Sequence, residues 1–265
     1  MGCLVKARQP VIHTMHRLII NADDFGISRE VNSAICECFS NYMITSTTLM
    51  VNMPFCDEAV ALSKERGFDE RVGIHLNLTS GQPLTEDIRY FKCFCDRDGM
   101  FNAAFQKNTA TRLRLTREES KAMGKEIEAQ LVKYLHYGLP DHHLDSHHHV
   151  HTNASVYREL SPLLKKYGIR SVRLSRNMYK KMSCLKALYK KRYNRSLSRS
   201  GVFTTDYFGS FKDFSACHED LADNSLTEIM VHPMYDSYGK LVDTKTDMYY
   251  EKDFFNRLNA VYEFY

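Results

Sequence analysis

The sequence predicts an α/β protein, a distorted or incomplete TIM-like (β/α) barrel in a single domain. Helix, glycine and strand recur with short connections, the signature of βα units around a parallel sheet. Five or six such units can be counted in 265 residues, a length suited to one barrel. No G-x-G-x-x-G follows the first strand and no G-x-x-x-x-G-K occurs, which argues against the common dinucleotide- and phosphate-binding sheets. Residues 1–15 read as an N-terminal tail and 16–265 as the barrel domain, with a basic insertion at about 176–200.

Arg17–Gly26, RLIINADDFG, opens the domain: a short apolar strand, Leu18–Ile20, runs into Asp23, Asp24 and a glycine. Ile27–Asn41 predicts a helix, with Val31, Ile35, Cys38 and Phe39 on one side and Ser28 and Glu30 suited to its start. TSTTLMVN, 45–52, is the second strand; Asp57–Arg66 is a helix ended by Gly67. Arg71–Leu78 is the third strand and delivers His75 near its end. Residues 85–115 are irregular, with FKCFCDRDGMF resembling a hairpin turned by DRDG, 96–99. Thr116 and Glu119 form a capping box for a helix with Met123, Ile127, Leu131 and Leu135 at a spacing of four, stopped by Gly138 and Pro140. Leu144–Val150 reads as a strand despite its polar content, Asn153–Tyr167 as a helix closed by Gly168, and Ile169–Leu174 as a strand. Tyr179–Arg199 is basic and in part an amphipathic helix; Phe211–Leu221 follows as helix, Thr227–His232 as strand and Met248–Val261 as closing helix.

A hydrophobic content of 43% with mixed charge excludes a disordered chain, and no apolar run is long enough for a membrane span. The opening residues lack the apolar core of a secretory signal, which predicts a cytoplasmic protein; Gly2 and Cys3 lack the Ser or Thr that an acylation signal places at position 6. Eight cysteines then read as reduced thiols, and Cys36-x-Cys38 and Cys93-x-Cys95 are too closely spaced for the usual zinc knuckle. Residues 173–199 hold ten Lys or Arg and no acid, so the net charge of +4 is local and the remainder of the chain is acidic. Nucleic acid is not indicated as a general partner.

Adjacent carboxylates at a strand end repel each other, and a cation there removes the cost: one aspartate serves as ligand and the other handles a proton. Six of the twelve histidines fall between 142 and 151. Along a strand, Asp145, His147, His149 and His151 would share one side, with His147 a ligand and Asp145 or a neighbouring histidine fixing a tautomer from behind. His75, at the carboxyl end of a strand, is a second imidazole ligand. Asp, His and His leave positions open for water and substrate. His232, at the end of the last strand, is placed to protonate a leaving amine, and Arg173 to orient Asp23 or a substrate oxygen.

NADDFG (21–26), TSTTLMVN (45–52), VGIHLNLTSGQPL (72–84), HLDSHHHVH (143–151) and VHP (231–233) together resemble the YdjC-like carbohydrate deacetylases, related to polysaccharide deacetylases. The resemblance spans about residues 16–235. It implies a divalent ion held by Asp24, His75 and His147, with Asp23 as general base and His232 as general acid. The implied reaction is hydrolysis of the N-acetyl group of an acetylated amino sugar, such as an N-acetylglucosamine di- or oligosaccharide. The donor set suits Zn²⁺, Co²⁺, Mn²⁺ or Fe²⁺, and Mg²⁺ less well. Specificity is expected in the insertion and in residues 85–115, with Tyr207, Phe208, Tyr235 and Tyr238 near the mouth and the unopposed positive charge favouring an anionic sugar. Size and resemblance are compatible with a homodimer. Two rivals stand beside this reading: a metal-dependent phosphoesterase, and a non-enzymatic RNA- or partner-binding protein using the KKRYNR stretch.

Overall fold

Polar residues spaced two apart decide which side of the first strand faces the barrel interior. In the computed structural model, which describes residues 16–265, β1 (Arg17–Phe25) buries Leu18, Ile20 and Ala22 on its outer face. Alternation turns Ile19, Asn21 and Asp23 inward. The expected tail, with the possible acylation residues, lies outside the described residues.

The order continues α1 (Arg29–Ser40), β2 (Ser46–Leu49), α2 (Cys56–Glu65), β3 (Val72–Leu76), α3 (Ala104–Lys107), α4 (Thr109–Leu113), α5 (Arg117–His136), β4 (His143–Ser146), α6 (Ala154–Lys166) and β5 (Ser171–Val172). It ends with α7 (Cys184–Arg199), β6 (Tyr207–Ser210), α8 (Phe211–Cys217), β7 (Leu226–Val231), β8 (Pro233–Tyr235), β9 (Leu241–Asp243), β10 (Met248–Tyr249), α9 (Lys252–Val261) and β11 (Glu263–Phe264). Local chemistry starts the helices as expected: Ser28 Oγ accepts from the Val31 amide, and Thr116 and Glu119 cap each other across the first turn of α5.

Seven parallel strands lie in the order β5-β4-β3-β2-β1-β7-β6, and β11 pairs with the start of β1. Among the described residues β5 and β6 form no ladder; the chain after β5 meets β6 through the Asn177 and Met178 amides, which donate to the Phe208 carbonyl, and Ser171 bridges Phe203, so the sheet curls into an incomplete barrel. The α/β barrel-like expectation therefore holds. The hairpin at 91–101 also forms: Cys95 bridges Phe101, and the Asp96 carboxylate accepts from the Asp98 and Met100 amides.

Several elements differ from the expectation. The strand predicted over Leu144–Val150 stops at Ser146, because His148 and His149 take left-handed conformations, φ 53° and 55°, and the chain coils into a 3₁₀ turn. β6 was not expected. The helix predicted from Met248 begins at Lys252, and β8, β9 and β10 form a small antiparallel sheet. Strands of two or three residues carry no readable period; here tertiary bonds hold them, with the buried Asp243 accepting from the amides of His232, Lys245 and Thr246. Of the paired cysteines, Cys36 and Cys38 are buried, and burial pushes the Cys93 and Cys95 thiols up to about 12, away from the thiolate a metal needs.

The carboxyl end of β3 is clamped from α5. Gln130 Oε1 accepts from the Asn77 amide at 3.0 Å and its Nε2 donates to the Asn77 carbonyl at 2.7 Å, with no exposure of either residue. Gln130→Leu should therefore cost about 1–3 kcal/mol in urea denaturation, since it strands two buried backbone groups; an unchanged midpoint would show that the clamp is dispensable.

Candidate active site

Strand ends bring the predicted residues together. Asp23 and Asp24 lie near the end of β1, His75 is the penultimate residue of β3, and His147, Arg173 and His232 follow β4, β5 and β7 directly. Adjacent aspartates on a regular strand would point apart. Asp24 escapes this by adopting φ 70°, within a register shift between Ala22 and Phe25, and swings its carboxylate over the barrel mouth. There Asp24 Oδ1 stands 3.1 Å from His75 Nε2 and 2.7 Å from His147 Nδ1. The candidate ligand atoms of Asp24, His75 and His147 all lie within 4.8 Å of one another.

Beneath this trio sits Arg173, fully buried. Its guanidinium makes a two-pronged contact with Asp23 at 2.7 and 2.8 Å, reaches Asp145 at 2.6 Å and donates to Glu228 at 2.6 Å. Burial raises the Asp23 carboxyl, but Arg173 and His75 together outweigh it and hold the group below the usual carboxylate range. Asp145 is lowered in the same way, by Arg173 and His75 against burial. Burial of Asp24 is likewise overcome by its bonds to His147 and His75, which hold it well below the usual range.

Asp145 does the job expected of it, but for the other imidazole: its Oδ1 accepts from His75 Nδ1 at 2.6 Å, while its Oδ2 accepts from Thr48 Oγ1 at 3.0 Å. With Nδ1 so engaged, His75 presents Nε2 to Asp24. Burial opposes a charge on His75, yet the Asp145 carboxylate beside it raises the imidazole to about 10.

The expected alternation along 145–151 fails with the strand. His147 turns to Asp24, whereas His148 Nδ1 meets Thr79 Oγ1 at 3.0 Å and burial lowers the ring to about 4. His151 is buried and neutral, lowered by burial to about 3: it bonds Ser146 and donates Nε2–H to the Arg173 carbonyl at 3.1 Å. It is a tie between β4 and the arginine, not a ligand. His232 Nε2 lies 3.8 Å from Asp23 Oδ2, and its amide donates to Asp243 at 2.7 Å. Asn21 and Thr48, which bond Asp23, His75 and Asp145, escaped the sequence reading; their signal was the polar inward alternation of β1 and β2.

A cavity of about 520 Å³ opens over this floor, lined by Asp23, Asp24, His75, His147 and His232, with Gln106, Lys107, Arg176 and Lys245 around it. None of the aromatics expected at the mouth lines it. Phe208 is buried beneath Arg173, 4.8 Å from ring to guanidinium, Tyr207 sits at the opposite end of β6, Tyr235 donates to Glu37, and Tyr238 faces outward.

The family of YdjC-like proteins matches residues 17–258. The chain belongs to that family. A carbohydrate deacetylase of Clostridium beijerinckii is 34% identical over 231 residues, covering 83% of this chain and 82% of the relative. A carbohydrate deacetylase of Brevibacillus brevis is 34% identical over 222 residues, with coverage of 83% and 82%. A crystal structure from Enterococcus faecalis V583, described provisionally as a cellobiose-phosphate cleavage protein, superimposes with a TM-score of 0.63 at 23% identity, over 84% of this chain and 83% of that one. It bears on the fold alone.

The residues of the YdjC-like site fit a divalent ion. Three donors of the right type face one point, and three further carboxylates, Asp23, Asp145 and Glu228, share a single guanidinium, so the carboxylates outnumber the one arginine that meets them. Among the described residues no helix is long and apolar enough to cross a membrane. The lowered carboxyls of Asp23 and Asp145 give a signed pH dependence: their stabilisation is complete above the ordinary value of 3.8 and lost as pH falls below it. A bound cation acts with the same sign. Thermal midpoints should therefore fall steeply below about pH 4, and Asp145→Asn should flatten that limb. An equally steep limb in the variant would place the acid sensitivity elsewhere.

Proposed function

We propose that this YdjC-like chain is a metal-dependent hydrolase that removes the N-acetyl group from an acetylated amino sugar, an N-acetylglucosamine di- or oligosaccharide. The named activity of relatives covering 83% of the chain supports sugar deacetylation. The observation that carries the mechanism is the meeting of Asp24, His75 and His147 at one point, with Asp23 and His232 beside it in the same cavity. A divalent ion held by that trio supplies Lewis acidity, polarising the amide carbonyl and lowering the pKa of water.

The chain's own residues then divide the proton work. Asp23, kept ionised and fixed in orientation by Arg173 and Asn21, accepts a proton from the attacking water. Its low basicity confines it to acidified protons. His232, on the neighbouring strand end, donates to the departing nitrogen, and Asp145, bonded to His75 Nδ1, fixes the ring so that Nε2 faces Asp24. A phosphoesterase would use the same ion, and acetate rather than phosphate as product separates the two. The RNA-binding alternative has less support, because the insertion contributes Arg176 alone to the cavity while most charges of α7 are exposed.

The finer reading is an anionic sugar. Lys107, from the irregular 85–115 stretch, and Lys245, after β9, line the cavity and form no ion pair among the described residues, whereas Arg176 is paired with Asp213. Lys107→Ala with Lys245→Ala should raise KM for a phosphorylated substrate by about fivefold at low salt and leave the neutral one unchanged. Equal effects on both would discard the anionic class.

Metal content and acetate release from N-acetylated sugars test the main reading. Asp24→Asn and His147→Ala should lose both, whereas Asp23→Asn should keep the metal and lose about 10²–10⁴-fold in kcat. Full turnover by Asp23→Asn, or metal retained by Asp24→Asn with His147→Ala, would contradict the assigned roles.

A further inference from the structure

A second cavity, about 640 Å³, lies at the opposite end of the barrel, where the strands begin. That volume is typical of a small-molecule site. Its depth is set by Glu228, an inward residue of β7 that is 1% exposed. Glu228 Oε1 accepts from Arg173, but Oε2 is buried with no hydrogen-bond partner among the described residues. A buried carboxylate oxygen without a donor is costly, and its residue lines this cavity. His143, whose Nδ1 meets Ser171 Oγ at 2.9 Å, stands beside it with Nε2 4.0 Å from Glu228 Oε1. The mouth is aromatic: Phe203 and Tyr42 line it and are 56% and 80% exposed. Arg71, Arg170, Glu70 and Asp141 also line it, and Glu228 shares its one guanidinium, that of Arg173, with Asp23 and Asp145.

We propose that this cavity is a second ligand site, separate from the deacetylation site, which takes a small cyclic primary amine. The ammonium bonds Glu228 Oε2 and the ring lies against the aromatic mouth. A divalent ion is the competing occupant, since ligand atoms of His143, Asp145 and Glu228 lie within 4.8 Å of one another. It is disfavoured because Arg173 already occupies that corner as a cation, contacting both carboxylates, and because Asp145 is also engaged by His75 and Thr48. An ion would also leave the aromatic rim unexplained.

The chain has no Trp, so Phe203→Trp places a lone indole at the mouth. Titration of this full-length variant with glucosamine should shift its emission saturably. Glucose, with a hydroxyl in place of the ammonium, should bind about tenfold or more weakly. Adding Glu228→Gln should weaken glucosamine by about 10- to 100-fold and leave glucose unaffected. The contrast between the two sugars needs no change at Glu228, so it decides even where that variant fails to fold. Adding Asp24→Asn should leave the titration unchanged, and failure at the indole leaves the acetate-release reading standing. No emission change, equal response to glucose, or a response to Zn²⁺ or Mn²⁺ that glucosamine does not compete with would each overturn the proposal.

Discussion

One buried guanidinium organises the barrel interior. Arg173 reaches Asp23 on β1, Asp145 on β4 and Glu228 on β7, strands spread across the curled sheet. The planar fork suits such contacts because its donors are fixed in direction, which a lysine cannot reproduce. Buried ion pairs seldom add net stability, since desolvation offsets the attraction. What the arrangement does provide is orientation. Asp23 is held in one plane by a two-pronged contact, and Asp145, pinned by the same arginine, fixes the ring of His75. The positions of a proposed base and a proposed ligand thus follow from a single side chain.

Backbone conformation at the mouth completes what side-chain pairing begins. Asp24, His148 and His149 are non-glycine residues in the left-handed region, and all three line the cavity over the Asp24–His75–His147 cluster. Each such conformation costs of the order of 1 kcal/mol or more and persists only where its surroundings impose it. At Asp24 the gain is direct: without the left-handed turn, its carboxylate would face away from Asp23 and from both imidazoles. At His148 the turn is held from outside, by Thr79 on the ring and Gln106 on the carbonyl.

The sequence reading succeeded where a residue's chemistry and its place at a strand end coincide. An aspartate of the Asp23–Asp24 pair, His75 and His147 stand out in the sequence as metal-ligating types near expected strand ends, and the structure brings Asp24, His75 and His147 together. The sequence reading failed in SHHHVH, where alternation was extended past Ser146; no feature of three consecutive histidines announces a left-handed pair, and the fate of His151 depends on a carbonyl 22 residues away. The short strands β8 to β10 escaped for a related reason, since their order rests on the carboxylate of Asp243 rather than on their own pattern. The aromatic residues were misplaced because a count of Tyr and Phe says nothing of which end of a strand they occupy. Tyr207 opens β6, so it lies at the far end from the Asp24–His75–His147 cluster.

Closed barrels of this class fill their interior with layers of branched apolar side chains. This one instead stacks Asn21 and Asp23, Thr48, His143 and Asp145, and Glu228 around Arg173. A polar column of that kind must satisfy itself by hydrogen bonds between strands, and it largely does: Ser46 donates to Asn21, Asn21 to Thr48 and Asp23, and Thr48 to Asp145. Packing therefore does not require the sheet to close, and the gap between β5 and β6 carries little penalty. The same substitution leaves both ends of the column polar, one ending in Asp23 and Asp24 and the other in the unpartnered oxygen of Glu228. A barrel built to hold charge at its mouth has thereby acquired a charged floor as well, and the two are joined through one arginine.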